Sequence, residues 1–243
     1  FYIMKHLFTL AITILLIIPN NVKAQSDGDA IAAVAGGLLA LGAGIAAVEQ
    51  MKEQAELTAT EWLLTNHPEF NQFSLKTLDF DGKKLKDMSA TSVITFKIRE
   101  FDLVDDEPVL GKKRVLFGFT SYGWINEYGI DFNKVKWFLY DSKEWMNMMT
   151  SYTKVASGEK NEQLIREALE NGKVVNRGVK AKKGEDIDFY KIEGDMYLVT
   201  DYSPDMKFIY NERSLGIYLK ETMNLIQIGR GDLINIHEFF FDE

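Results

Sequence analysis

The sequence predicts an α+β protein: a long N-terminal helix, apolar and small-residue-rich in its first half, followed by a single domain of mainly antiparallel sheet with about two helices. Three observations predict it. An uncharged run of small and aliphatic residues at 30–48 passes directly into good helix formers at 49–56. From residue 70 onward, short runs of β-branched and aromatic residues alternate with Gly and Asp turn signals. Within that pattern, two segments beginning near 141 and 160 switch to helical spacing.

Residues 1–24 have the layout of a secretory signal peptide. Met4 is followed by Lys5, an uncharged apolar run at 7–18, then Pro19, Asn20, Asn21 and the small-residue end Val22-Lys23-Ala24. A 12-residue core is short for a membrane span, which takes about 20 residues. Cleavage after Ala24 would leave Gln25 as the first residue, with 26 basic against 36 acidic side chains and a net charge of −10.

Residues 25–69 form the helical segment. Positions 30–48 hold eight Ala, four Gly, three Leu, two Ile and two Val. A 19-residue helix is about 28 Å long, close to the thickness of bilayer hydrocarbon. Ala32, Gly36, Ala40 and Gly44 recur every four residues and share one face, a glycine-zipper pattern that admits a second backbone at close range. Each Gly costs about 1 kcal/mol relative to Ala in an aqueous helix, so this face is expected to pack against membrane-embedded or partner helices, including those of another copy. Burial within the chain's own domain is the alternative. Met51, Ala55, Thr58, Trp62 and Leu63 continue the segment as an amphipathic helix. It should end before His67-Pro68, because the residue preceding proline disfavours the helical region.

The domain at 70–243 begins with a strand at 75–80 closed by the hairpin signal Asp81-Gly82, then strands at 92–101, 114–121 and 135–140. Between the second and third lies an acidic loop carrying Asp102, Asp105, Asp106 and Glu107. Asp141 or Ser142 caps a helix with Glu144 in its first turn and Trp145, Met148, Met149 and Tyr152 on one face. A second helix at 160–171 carries Leu164, Ile165, Ala168 and Leu169 and stops at Gly172. Strands follow at 187–192 and, after a Gly194-Asp195 turn, at 196–202, 207–210, 215–219 and 225–228. A Gly229-Arg230-Gly231-Asp232 turn would then lead to a last strand at 233–240. Short connections imply antiparallel pairing.

Composition removes several chemistries. The 243 residues include no Cys, so thiol catalysis, disulfides and Cys-based zinc sites are excluded. The net charge of −8 argues against a general nucleic-acid binder, which needs a basic face. There is no H-E-x-x-H, no phosphate-binding or dinucleotide glycine loop and no G-x-S-x-G around which His67 or His237 could work. Ser151-Tyr152-Thr153-Lys154 has the S-x-x-K spacing, but its companion S-D-N and K-T-G elements are missing. The Asp102 to Glu107 cluster and the Asp186, Asp188 pair could serve glycoside hydrolysis or bind Ca²⁺, yet acidic loops are ordinarily solvated. In Asp79-Phe80-Asp81-Gly82 the glycine arrives two positions too early for a calcium loop. No catalytic residue, metal ligand or cofactor is assigned.

Ten aromatics fall between Phe117 and Trp145. Within them Tyr122, Trp124, Asn126 and Tyr128 form a candidate ligand-binding group, because aromatic faces beside polar side chains suit sugars and peptides. Trp124, after Gly123, is expected to be exposed in a loop, and Trp137 to be core. The expected protein is a non-enzymatic, exported cell-envelope protein of the periplasm or outer envelope, associated with membrane or partners through its small-residue helix. A soluble periplasmic or secreted carbohydrate- or peptide-binding domain using the aromatic segment is the alternative.

Overall fold

The computed structural model describes residues 45–79, 93–126, 129–193 and 196–242. Residues 1–24, expected to be a signal peptide, the group Ala32, Gly36, Ala40 and Gly44, the turns expected at Asp81-Gly82 and Gly194-Asp195, and Tyr128 lie outside the described residues.

Helix α1 (Ile45–Asn66) ends where the His67-Pro68 pair requires. Its last carbonyls are taken up by the His67 amide, which donates to Leu63 O at 2.7 Å, and by Asn66 Nδ2, which donates to Trp62 O at 2.8 Å. Ala55, Ala59 and Leu63 recur every four residues and are fully buried. This stripe places α1 on one face of a four-stranded antiparallel sheet of β1 (Phe73–Asp79), β2 (Val93–Val104), β3 (Glu107–Thr120) and β6 (Val135–Asp141), in the order β1-β2-β3-β6. Glu56 of α1 accepts hydrogen bonds from the Thr77 amide and hydroxyl, which fixes the helix to β1.

Strand alternation divides the sheet between two cores. Ile94, Phe96, Ile98 and Leu116 face α1, whereas Val93, Val115, Phe117 and Phe119 enter the larger core on the other side. That second side is covered by α2 (Ser142–Ser157), whose cap is Asp141, the first of the two expected candidates, in a capping box: Asp141 accepts from the Glu144 amide at 2.8 Å and Glu144 from the Asp141 amide at 3.0 Å. The helix α3 (Glu162–Asn171) follows, with Asn161 as its cap. A short ladder of β4 (Ile125–Asn126) and β5 (Gly129–Ile130) precedes β6. Beyond α3, β7 (Lys173–Val175), β8 (Gly178–Lys180) and β9 (Ile187–Asp188) make a small antiparallel sheet. A second four-stranded sheet orders β10 (Leu198–Asp201), β11 (Met206–Tyr210), β12 (Ser214–Leu219) and β13 (Asn224–Gly229) sequentially. Met206, Phe208 and Tyr210 of β11 face the larger core with Leu215, Ile217 and Leu219 of β12.

The last element corrects the sequence reading. Residues expected to be a turn and a strand form helix α4 (Arg230–Phe241). Leu233, Ile236, His237 and Phe240 are buried, which is i, i+3, i+4, i+7 spacing; the same Ile- and Phe-rich run also satisfies a strand composition, and tertiary packing decides between them. Among its described residues the domain therefore has three α-helices where about two were expected, and the predicted strand at 187–192 is shortened to β9. The acidic loop is also corrected: β2 runs on to Val104, and the chain reverses over Asp105 and Asp106 alone.

Candidate interaction surface

β2 and β3 are longer than their neighbours. Pairing of β1 with β2 reaches only Phe73 opposite Glu100, and pairing of β6 with β3 only Asp141 opposite Arg114. Beyond those points the two strands continue as an isolated ribbon, with Phe101 opposite Leu110, Asp102 opposite Val109, Leu103 opposite Pro108 and Val104 opposite Glu107. Asp105 and Asp106 both adopt positive φ, 53° and 64°, the geometry of a two-residue type I′ hairpin, which Asp tolerates better than most residues. At the foot of the ribbon the register shifts, and Gly111 faces Glu100 there: a Cβ at Gly111 would lie 3.2 Å from Glu100 O.

Period-two alternation places Phe101, Leu103, Pro108 and Leu110 together on one ribbon face. On this face Leu103 is 54% exposed and Leu110 62%, and on the opposite face Val104 and Val109 are each 53% exposed, apolar side chains that neither of the two cores covers. The outer edge of β2 is closed by Gln72, whose carbonyl accepts from the Phe101 amide and whose side chain accepts from the Leu103 amide, both at 3.1 Å. The face of the ribbon, rather than that edge, is what it offers to a partner. Sequence reasoning had marked Asp102, Asp105, Asp106 and Glu107 but missed the apolar residues between them; the available signal was the pair of apolar runs flanking a two-residue acidic turn.

The aromatic group is mostly structural. Trp124 is only 3% exposed, contrary to the expectation that it is exposed in a loop. The Ser121–Trp124 turn, closed by the Trp124 amide donating to Ser121 O at 3.2 Å and the Asp131 amide donating to Trp124 O at 2.6 Å, carries the indole into the α1-side core. Trp137 is half-buried, with its ring over Gly118 and its centroid 6.2 Å from that of Trp62. Tyr122 is 69% exposed, and Asn126 lies in the β4 ladder. Phe117, Phe119, Tyr140 and Trp145 are core.

The remaining motifs are occupied by structural contacts. Lys154 pairs with Glu162 at 2.7 Å, so its amine is directed to α3. Asp186 and Asp188 both pair with Lys180, at 3.1 and 3.0 Å, and the Lys180 contact holds the Asp186 carboxyl below its ordinary range. Arg230 is buried: its guanidinium lies over the rings of Tyr210 and Phe189, and it donates to Tyr210 Oη at 3.2 Å and Asn211 O at 3.0 Å. The Arg230-Gly231-Asp232 triplet is therefore a helix start with its arginine inside. Burial pushes the nearby Tyr152 hydroxyl up to about 12. A cavity of about 420 Å³ opens beside Met196, Tyr197, Asn211, Arg213 and Gln227. Asn211 is taken up by the amides of Arg213 and Ser214, and the neighbouring Glu212 by Ile192 and Arg177, so these polar groups serve the turn first. Among the described residues no three His, Asp or Glu side chains group as a metal site, and no helix is long and apolar enough to cross a membrane.

His237, expected in a strand, is buried in α4. Its Nδ1 accepts from Trp145 Nε1 at 3.3 Å and its Nε2 donates to Leu169 O at 2.9 Å, so both ring nitrogens are used by the neutral tautomer. Burial lowers its pKa, against the smaller opposing effects of the Leu169 carbonyl and Asp242. As pH falls through the ordinary histidine range the unfolded chain binds this proton first, so stability is full above that range and falls as pH drops toward the lowered value. The slope is at most about 1.4 kcal/mol per pH unit for one proton. The carboxylates held low by their partners, Glu162, Asp186 and Asp201 among them, titrate further down. Melting temperatures should therefore decline between neutrality and pH 5 in the wild type and stay flatter in His237→Gln. Equal slopes in the two would remove His237 from this role.

Compared with known proteins, the chain matches no protein-family model, no curated protein and no solved structure.

Proposed function

We propose that the chain is an exported cell-envelope protein of non-enzymatic type, in which the α+β domain makes protein contacts through the face of the β2–β3 ribbon. The observation that carries this reading is the exposure of Leu103 and Leu110 on one face of a hairpin that projects past both neighbouring strands. Exposed apolar clusters on a rigid scaffold mark protein interfaces, since leaving them in water forgoes about 25 cal/mol per Å². The signal-peptide layout of residues 1–24 supports export, and the small-residue run at 30–48 supports association with membrane or partner helices. The carbohydrate-binding alternative loses its principal ring with the burial of Trp124.

Cell fractionation with N-terminal sequencing tests the export part. The protein should be recovered outside the cytoplasm with a mature terminus at or near Gln25, and it should sediment with membranes until detergent is added. Cytoplasmic recovery, or a mature species still carrying residues 7–18, would sink the proposal.

A further inference from the structure

We infer that Ser74, Lys76, Lys97 and Arg99 form a grid on the β1–β2 ladder that binds a phosphate group. The grid follows from the register of these two strands and does not depend on what covers the β2–β3 ribbon. Phe73 and Leu75 pack toward α1, so alternation sets the exposed Ser74 and Lys76 on the other face of β1. Across the ladder Ser74 is opposite Arg99, and Lys76 is opposite Lys97. Val115, the partner of Lys97 on β3, enters the larger core, which confirms the face. Directly opposite side chains start about 5 Å apart and same-face neighbours along one strand about 7 Å apart. Three cations and a hydroxyl therefore rise from the corners of one small rectangle.

Like charges directly opposite each other oppose strand pairing, yet this sheet sets Lys76 against Lys97 and, one step on, Arg99 against Lys113. The whole chain has a net charge of −8, so composition alone does not gather cations here. Among the described residues no carboxylate forms an ion pair with Lys76, Lys97 or Arg99. Glu100, next to Arg99, lies on the opposite face and pairs with Arg114 at 2.8 Å. Burial lowers the Lys97 pKa; Glu238 on α4 opposes this and Lys76 adds to it. The Lys97 amine is held 5.3 Å from the Phe239 centroid, and Arg99 Nε is shut off from solvent with no hydrogen-bond partner among the described residues. Lys113 adds its charge to the field, but its amine is directed to Phe240 O at 3.5 Å and Asp242 O at 3.2 Å. What this face needs is a compact anion. A phosphate group concentrates its charge and acceptor oxygens in a tetrahedron that several donors reach at once, whereas a carboxylate of an acidic peptide offers only two oxygens in one plane. The group can belong to a lipid headgroup or to a soluble phosphoester.

Two arms test this on the purified exported protein. One titrates inorganic phosphate by calorimetry. The other measures co-sedimentation with phosphatidylglycerol vesicles, taking phosphatidylcholine vesicles as the reference because any association through residues 30–48 acts on both. Saturable binding of inorganic phosphate identifies a soluble phosphoester as the source; an excess on phosphatidylglycerol without it identifies a lipid headgroup. Either binding should fall as salt is raised. Lys76→Glu should weaken it about tenfold, since the change removes one attraction and adds one repulsion beside the anion. Its melting temperature should stay unchanged, because Lys76 is exposed. Lys160→Glu makes the same change of charge at an exposed position between α2 and α3 and should bind as the wild type does. Binding of neither probe by the wild type, undiminished binding by Lys76→Glu, or an equal loss in Lys160→Glu would each overturn the phosphate grid.

Discussion

Trp145→Ala should destabilise the domain more than any other single truncation in the α2 helix, by about 3–5 kcal/mol for the lost ring alone. The indole is fully buried in the larger core, with its centroid 6.2 Å from those of Phe117 on β3 and Phe240 on α4. It thus joins the first sheet to α4. Its Nε1 is also the donor to His237 Nδ1, and removing that donor leaves a buried acceptor unsatisfied, which costs a further 1–3 kcal/mol, roughly. A domain is typically stable by about 5–15 kcal/mol, so the variant should lie near the edge of folding. Trp145→Phe separates the two contributions: it keeps most of the ring volume and loses the hydrogen bond. Urea unfolding should place Phe between wild type and Ala. A loss under 1 kcal/mol for Trp145→Ala would show that the ring does not join these elements.

What was legible in the sequence was local. The α2 cap needs only Asp141, Glu144 and the backbone between them, so four consecutive residues carry the whole signal. The end of α1 needs only the steric effect of Pro68 on His67. α4 was illegible because its stretch satisfies two periodicities. A strand demands that alternate residues be buried, a helix that i, i+3, i+4 and i+7 be buried, and 233–240 fits each with one polar exception: Ile234, Ile236 and Phe240 alternate around Glu238, and Leu233, Ile236 and Phe240 share a helical face with His237. The choice is made by neighbours far away in sequence, through Trp145 on α2 and Leu169 on α3, both of which bond His237.

The candidate surface failed to stand out for a related reason. An apolar side chain in a strand reads as core unless it is known where the neighbouring strands stop. Leu103 and Leu110 continue the face on which Val115 and Phe117 enter the larger core, and differ from them in lying past the ends of β1 and β6. The acidic residues were noticed because charge is visible in composition.

Trp124→Ala should cost about 3–5 kcal/mol and Trp137→Ala clearly less, about 1–2 kcal/mol, the reverse of what loop and strand placement suggest. Trp124 follows the positive-φ Gly123, 72°, in a turn that delivers the indole into the α1-side core. Trp137 lies on β6, an edge strand of the first sheet, and is partly open to solvent. The space it fills exists because its cross-strand partner is Gly118, where a Cβ would come within 2.9 Å of the indole. Truncating Trp137 uncovers that glycine and the adjacent Trp62 and Phe96 rings, but solvent can enter the gap, so the cavity penalty is reduced. Truncating Trp124 leaves a closed void beneath a turn whose backbone is held by Ser121 and Asp131 and cannot collapse into it. Thermal melting of the two variants gives the order directly. If Trp137→Ala melts lower than Trp124→Ala, the packing of α1 on the first sheet depends on the β6 edge rather than on the Ser121–Trp124 turn.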